Sequence, residues 1–277
     1  VRFTVGQPDF KTPDVIVNAA KDALDQGLHG YTRSQGSEEL CTAVCNHLSQ
    51  YGVVVGAEDI VIAPGCKQAL LYAMMTCLEP GDEVILLAPA WPSYDGMLRL
   101  IGAVPVHVPV KRENYHPDLD AVKNAITSKT KALLINSPNN PTGVLYTAEI
   151  LQEISDIISE REEELGTEIF LVSDEPYRKL LFDNQEYPHV FQFTNRSIVA
   201  TSHSKDLALP GERIGFIAVH PDYDESEQLI DGLVFSNRIL GFVNAPALMQ
   251  HIVASIQGVT VDVTQYQSKR DFLYKAL

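Results

Sequence analysis

No stretch of this chain approaches 18 consecutive apolar residues, so no helix of it is long and apolar enough to span a bilayer. Cysteine is scarce: Cys41, Cys45, Cys66 and Cys77 are the only four among 277 residues. They form no Cys-x-x-Cys pair, and no cluster of Cys and His has metal-site spacing, so no metal site is expected. Reduced thiols in a cytoplasmic protein are the expectation. Positive charge is in deficit, with 21 Lys and Arg against 36 Asp and Glu and a net charge of −15. Such a chain repels nucleic-acid phosphates and anionic membranes, which removes both from the expected partners. A signal-peptide pattern, internal repeats and low-complexity linkers are also lacking. The chain opens on Val1-Arg2-Phe3-Thr4 without an initiating Met, and so reads as a fragment or a processed piece. Of the eight histidines only His203 lies in a motif, and the run Glu160-Arg161-Glu162-Glu163-Glu164 reads as a solvated helix face.

What the chain does have is alternation. Apolar runs suited to buried strands occur at 60–63, 83–88, 104–108, 132–136, 169–173, 198–202 and 214–219. Helical periodicity lies between most of them, at 15–26, 37–51, 67–78, 94–101, 119–126 and 147–164. Glu79-Pro80-Gly81-Asp82 stops one helix and turns the chain. Strands alternating with helices predict an α/β fold of three layers, α/β/α, around a mostly parallel seven-stranded mixed sheet. Only residues 205–213 join the last two strands, too few for a helical crossover, so one of them is expected to run antiparallel. The tail, 225–277, reads as helices broken near Asn244-Ala245-Pro246.

Five polar motifs fall where strands end, the place where ligands collect in an open parallel sheet. Ser202-His203-Ser204-Lys205, with Arg213 eight residues on, groups hydroxyls, an amine and a guanidinium. Those groups suit a phosphate beside a nucleophilic lysine, although a solvated loop has the same composition. Pro64-Gly65-Cys66-Lys67 opens a helix whose free N–H groups favour an anion, or is an ordinary turn. Pro89-Ala90-Trp91 places the only tryptophan where it can stack on an aromatic ligand, or in a core or interface. Asn136-Ser137-Pro138-Asn139-Asn140-Pro141-Thr142-Gly143 is a doubly punctuated turn presenting the Asn140 amide. Ser173-Asp174-Glu175-Pro176-Tyr177 ends a buried strand on a carboxylate, which needs a partner or serves as a helix N-cap.

Taken in order, these motifs resemble the fold-type I pyridoxal-phosphate-dependent aminotransferases of class I/II, the aspartate aminotransferase-like group. The resemblance runs from Gly6-Gln7-Pro8-Asp9-Phe10 to about Pro246 and includes the 31-residue gap from Asp174 to Lys205. It implies a transaminase that moves an amino group between an L-amino acid and a 2-oxo acid through a Lys205 Schiff base. Lys205 would also shuttle the substrate's proton, and Asp174 would pair with the ring nitrogen of pyridoxal 5'-phosphate. Asn140 and Tyr177 would bond the phenolic oxygen, and Trp91 would stack on the ring. Arg213, Ser202, Ser204 and the amides of Gly65, Cys66 and Lys67 would hold the phosphate. Tyr31 would reach the phosphate of a neighbouring subunit in a homodimer. Gly6, Trp91 and Asn140 would line the substrate. The Ala88–Pro89 and Asn140–Pro141 bonds match positions that can be cis.

The resemblance further implies a cofactor-binding large domain at 16–262, with 1–15 and 263–277 as pieces of an incomplete small α/β domain. No arginine here matches the family's clamp for the substrate's α-carboxylate, so poor cofactor binding or slow turnover is expected of this chain. Cys66 stands where relatives often carry Gly, Ser or Thr. Arg238 lies where the family sometimes supplies a second cation for acidic substrates, with a structural salt bridge as the plainer role. The same core also serves a carbon–sulfur β-lyase, or a non-catalytic regulator that senses pyridoxal phosphate.

Overall fold

The computed structural model describes residues 6–8 and 11–277; Asp9 and Phe10 of the first motif lie outside the described residues. Seven strands form one sheet: β1 (Ile60–Ala63), β2 (Glu83–Ala88), β3 (Val104–Pro109), β4 (Thr130–Asn136), β5 (Phe170–Asp174), β6 (Ser197–Ser202) and β7 (Gly215–Val219). Their order is β1-β7-β6-β5-β4-β2-β3. Strand β7 pairs antiparallel with both β1 and β6, and every other pair is parallel. The expected mixed, mostly parallel sheet is the one observed. Residues 205–213 are indeed too short to cross over, so β7 returns beside β6.

Successive side chains of a strand point to opposite faces, and the sheet splits the core in two accordingly. Ile60, Ile62, Leu133 and Ile135 pack into one cluster, while Val61, Ala63, Ala132 and Leu134 pack into the other. Helices α1 (Asp14–Asp25), α2 (Glu38–Leu48), α5 (Leu119–Ala125), α6 (Ala148–Leu165) and α8 (Ala247–Ser255) supply the first cluster. Helices α3 (Cys66–Cys77), α4 (Ser93–Leu100) and α7 (Ser226–Ile239) supply the second, giving three layers. Local chemistry sets the helix starts. Ser37, Asp118 and Thr147 each accept a main-chain N–H three residues on. Gly166 ends α6 in the left-handed region at φ 61°.

Strand and helix bounds match the sequence expectations to within about two residues, except that 37–51 divides. Its α-helix stops at Leu48 and a 3₁₀ turn follows before Gly52 at φ 73°. The tail carries two breaks rather than one: α8 ends at Ser255, and α9 (Val263–Ala276) starts anew with Asp262 as its cap. No residue of α9 is buried. It is tied back by the Arg270–Asp183 ion pair and by Gln267 accepting from the Asp183 N–H. No helix among the described residues is long and apolar enough to cross a membrane.

The sheet aligns one edge for function. Ala63, Ala88, Asn136, Asp174 and Ser202 are the last residues of parallel strands. Register places Asn136 beside Asp174, and Ser202 beside Gly215 at the start of β7. A Cβ on Gly215 would lie 2.3 Å from the Thr201 carbonyl oxygen, so only glycine fits where Arg213 leads into β7.

Candidate active site

The strand ends open into a pocket of about 650 Å³. Its lining includes Gly6, Cys66, Lys67, Trp91, Asn140, Asp174, Tyr177, Ser202, Ser204, Lys205 and Arg213, and so gathers the sequence motifs onto one surface. Gly65 stands just behind, capping α3. Tyr31 is absent from this lining: it is 93% exposed and stands on the rim of an adjoining recess that shares Lys67 and Arg213.

One corner has the donors to hold an anion. Gly65 adopts φ +86°, which turns the chain from β1 straight into α3. A Cβ there would lie 2.6 Å from Nη2 of Arg213, so the glycine also admits the guanidinium. The Gly65 N–H itself is taken by the Ala63 carbonyl at 2.7 Å. That leaves Cys66 and Lys67, the first two helical residues, as the amides aimed outward. Arg213 spends one N–H on the Pro210 carbonyl, 2.8 Å away, and is held at φ 52°, a left-handed value uncommon for a side-chain-bearing residue. The buried Ser202 and Ser204 hydroxyls have no protein partner among the described residues and face the same pocket.

The opposite corner holds a carboxylate. Asp174 is 4% exposed and has no ion-pair partner among the described residues. Cys66 Sγ donates to its Oδ1 at 2.8 Å, and the Tyr94 hydroxyl donates to its Oδ2. Burial raises its carboxyl from an ordinary 3.8 to about 6, while those two donors pull the other way. The chain after Asp174 forms turns rather than a helix, so the N-cap role open in the sequence does not apply. Asn136 bridges the neighbouring strands: its Nδ2 donates to the Asp174 carbonyl at 2.8 Å, and its Oδ1 accepts from the Asn140 N–H at 2.6 Å. That bond seats the turn carrying Asn140, which lines the pocket together with Tyr177. Burial, and then the negative charge of Asp174, raise the Tyr177 phenol. The bonds Ala88–Pro89, Ser137–Pro138 and Asn140–Pro141 are all cis, the middle one unanticipated.

Between the corners lie the amine and the indole. Lys205 is half-buried and donates to the Gly6 carbonyl. Burial first, and the positive charge of Arg213 second, hold its amine below the usual lysine range. Trp91 meets Tyr94 edge-on at 5.4 Å, and the Lys67 amine sits 4.7 Å from its ring centre. Tyr94 and Asn136 join the site through these hydrogen bonds, although the sequence did not single them out. Only the spacing of Tyr94, three residues past Trp91 on the first turn of α4, hinted that both reach one place. His203 points away from the pocket and bonds Asp206 at 3.1 Å. Arg238 is exposed on α7 with no ion-pair partner among the described residues, so the salt bridge expected for it is not formed there. A larger recess of 950 Å³ lies against Arg178 and Lys179, but each of those cations is paired, with Glu175 and Asp206 respectively.

Comparison with known proteins gives this arrangement a context. The family model described as aminotransferase class I and II matches residues 1–277. A probable aspartate aminotransferase of Methanocaldococcus jannaschii is 32% identical over 283 residues, covering 100% of this chain and 73% of that protein. A probable aspartate/prephenate aminotransferase of Thermus aquaticus is 39% identical over 218 residues, covering 78% of this chain and 55% of that one. A crystal structure of an amino transferase from Eubacterium rectale superposes with a TM-score of 0.95 at 34% identity, over 99% of this chain and 70% of that one. The chain thus spans between about half and three quarters of these relatives. Strand order, strand-end motifs and end-to-end similarity lead to one conclusion: this chain belongs to the class I and II aminotransferases.

Proposed function

We propose that this pocket transfers an amino group between an L-amino acid and a 2-oxo acid with pyridoxal 5'-phosphate, the cofactor on which the family depends. The observation that carries the reading is the distribution of charge along one pocket. Among the described residues, a corner of outward amides, unpartnered hydroxyls and a guanidinium stands opposite a buried carboxylate without an ion-pair partner. A molecule with a phosphate at one end and a protonated ring nitrogen at the other satisfies both. When bound, the cofactor supplies a carbonyl that condenses with amines and a ring that accepts electrons as the substrate's proton leaves.

The chain's residues do the rest. Arg213, Ser202, Ser204 and the amides of Cys66 and Lys67 hold the phosphate, with Gly65 contributing space rather than its N–H. Asp174 would hold negative charge at the ring nitrogen. Asn140 and Tyr177 would meet the phenolic oxygen, and Trp91 would cover the ring. Lys205, with its lowered proton affinity, is the amine able to take and return a proton near neutral pH. Gly6 and Asn140 line the substrate side.

Titration with pyridoxal phosphate, followed by single-turnover absorbance with a panel of amino acids, tests the reading. A cofactor band that changes with one amino acid, releasing its oxo acid without ammonia, is expected. Aspartate stands first in the panel, because relatives are named for it. Ammonia and thiol release from a cysteine conjugate would move the reading to a β-lyase.

The fully formed site extends across a homodimer in this reading, and the protein is cytoplasmic. Tyr31 protrudes, and Phe235, Ile239, Phe242 and Val243 are also exposed. Tyr31→Phe is expected to weaken pyridoxal phosphate about tenfold, the worth of one hydrogen bond to a charged group. Sedimentation of the wild type as a monomer under binding conditions would refute the shared site. Residues 16–262 make up the cofactor domain in this reading. Helix α9, with no buried residue, belongs with 1–15 to a second, smaller domain.

A further inference from the structure

We propose that Cys66 is a positioning residue that joins the two ends of the pocket. Its main-chain N–H lies in the phosphate corner, while its thiol and the Tyr94 hydroxyl together fix the Asp174 carboxylate. The inference rests on the reading of this pocket as a pyridoxal-phosphate site.

Helix geometry makes the double role feasible. Cα–Cβ bonds tilt toward a helix N-terminus, so the side chain of the first residue of α3 aims back over the strand ends. There Sγ reaches Oδ1 of Asp174 at 2.8 Å, and Tyr94 takes Oδ2 from the far side. Each carboxylate oxygen offers about two acceptor directions, so one donor on each leaves a direction free for a ring N–H. Two fixed donors therefore set the plane of the carboxylate without blocking it. All three groups are at least nine-tenths buried. Burial, and then the charge of Asp174, push both the Cys66 thiol and the Tyr94 phenol well above their ordinary ranges. Both therefore remain protonated and can only donate to the carboxylate at neutral pH. A glycine or alanine at position 66 would keep the amide and lose the thiol, separating the two roles cleanly.

Two experiments test this. The first needs no cofactor: the infrared difference between wild type and Cys66→Ala isolates the Cys66 S–H stretch from the other three thiols. The band is expected on the low-frequency side, as for a donated thiol, and is expected to move to the free position in Asp174→Ala. A band at the free position in the wild type, or one indifferent to Asp174→Ala, overturns the proposal.

The second measures dissociation constants for pyridoxal phosphate and for inorganic phosphate. Cys66→Ala is expected to weaken pyridoxal phosphate about fivefold and Tyr94→Phe about tenfold, with larger losses as pH falls. Cys66→Ser is expected to restore most of the affinity, since a hydroxyl also donates. Inorganic phosphate is expected to bind all variants as it does the wild type, because the amide remains. Equal weakening of both ligands would mean a disturbed loop and would overturn the clamp. A wild type that binds phosphate but not pyridoxal phosphate would instead remove the cofactor reading, and the infrared band would then decide the clamp alone.

Discussion

Replacing Lys205 by alanine is expected to lower amino-group transfer by about 10⁴-fold while leaving the fold intact. The reasons lie in its surroundings. Lys205 is half-buried, and its one described hydrogen bond is to the Gly6 carbonyl, so its removal opens no cavity in either core cluster. Unfolding transitions should therefore stay within about 1 kcal/mol of wild type. The chemistry has no substitute: the other pocket lysine, Lys67, places its amine over the Trp91 ring at 4.7 Å. Burial and Arg213 both favour the neutral amine of Lys205, and alanine supplies neither nucleophile nor base. Single-turnover absorbance with the preferred amino acid, alongside thermal unfolding of both proteins, measures the effect. A variant that keeps its fold and converts amino acid at the wild-type rate would end the assignment. Slow rescue by added methylamine would support proton transfer as the lost function.

Asp174→Asn is expected to stabilise the cofactor-free protein at pH 7.5 while lowering amino-group transfer by about 10²-fold or more. Its carboxyl titrates near 6 in the fold, against an ordinary 3.8. The folded state therefore holds this proton more tightly than the unfolded chain. The stability Asp174 contributes is complete below about pH 4 and is lost as pH rises through 6. At pH 7.5 the ionised, buried side chain costs up to about 3 kcal/mol relative to its neutral form. Asparagine is neutral at every pH, accepts from one donor and can give its own N–H to the Tyr94 oxygen. The variant's advantage is thus expected to be about 1–3 kcal/mol at pH 7.5 and to vanish below pH 4. Urea unfolding from pH 3.5 to 8 checks this; an advantage of one size at all pH values would discredit the titration of Asp174 as its source. The functional loss follows from the same charge. A neutral amide holds a protonated ring nitrogen far more weakly than a carboxylate, so cofactor affinity is expected to fall along with turnover. The buried carboxylate is a site-specific instability that a cationic ligand relieves.

Much of this was open to a reader of the chain alone, for a local reason. Strand and helix periods are set over a few residues, so the apolar runs at 60–63, 83–88 and 132–136 mark their strands almost to the residue. The end of a strand is local too, and Gly65, Trp91, Asn140, Asp174 and Lys205 stand just beyond or upon such ends. The short 205–213 connection even dictates the direction of β7, because nine residues cannot carry a helix across the sheet.

Tertiary structure decided which side chains meet. Cys66 and Tyr94 lie 108 and 80 residues from Asp174, and only the order β1-β7-β6-β5-β4-β2-β3 brings α3, α4 and the end of β5 to one spot. It also decided that Gly65 spends its N–H on Ala63, that Asp174 caps no helix, and that Arg238 stands without an ion pair among the described residues. Periodicity reports which face of an element is buried, since burial repeats with the backbone. A contact between two distant polar groups leaves no period, because its energy exists only once the sheet has set their distance.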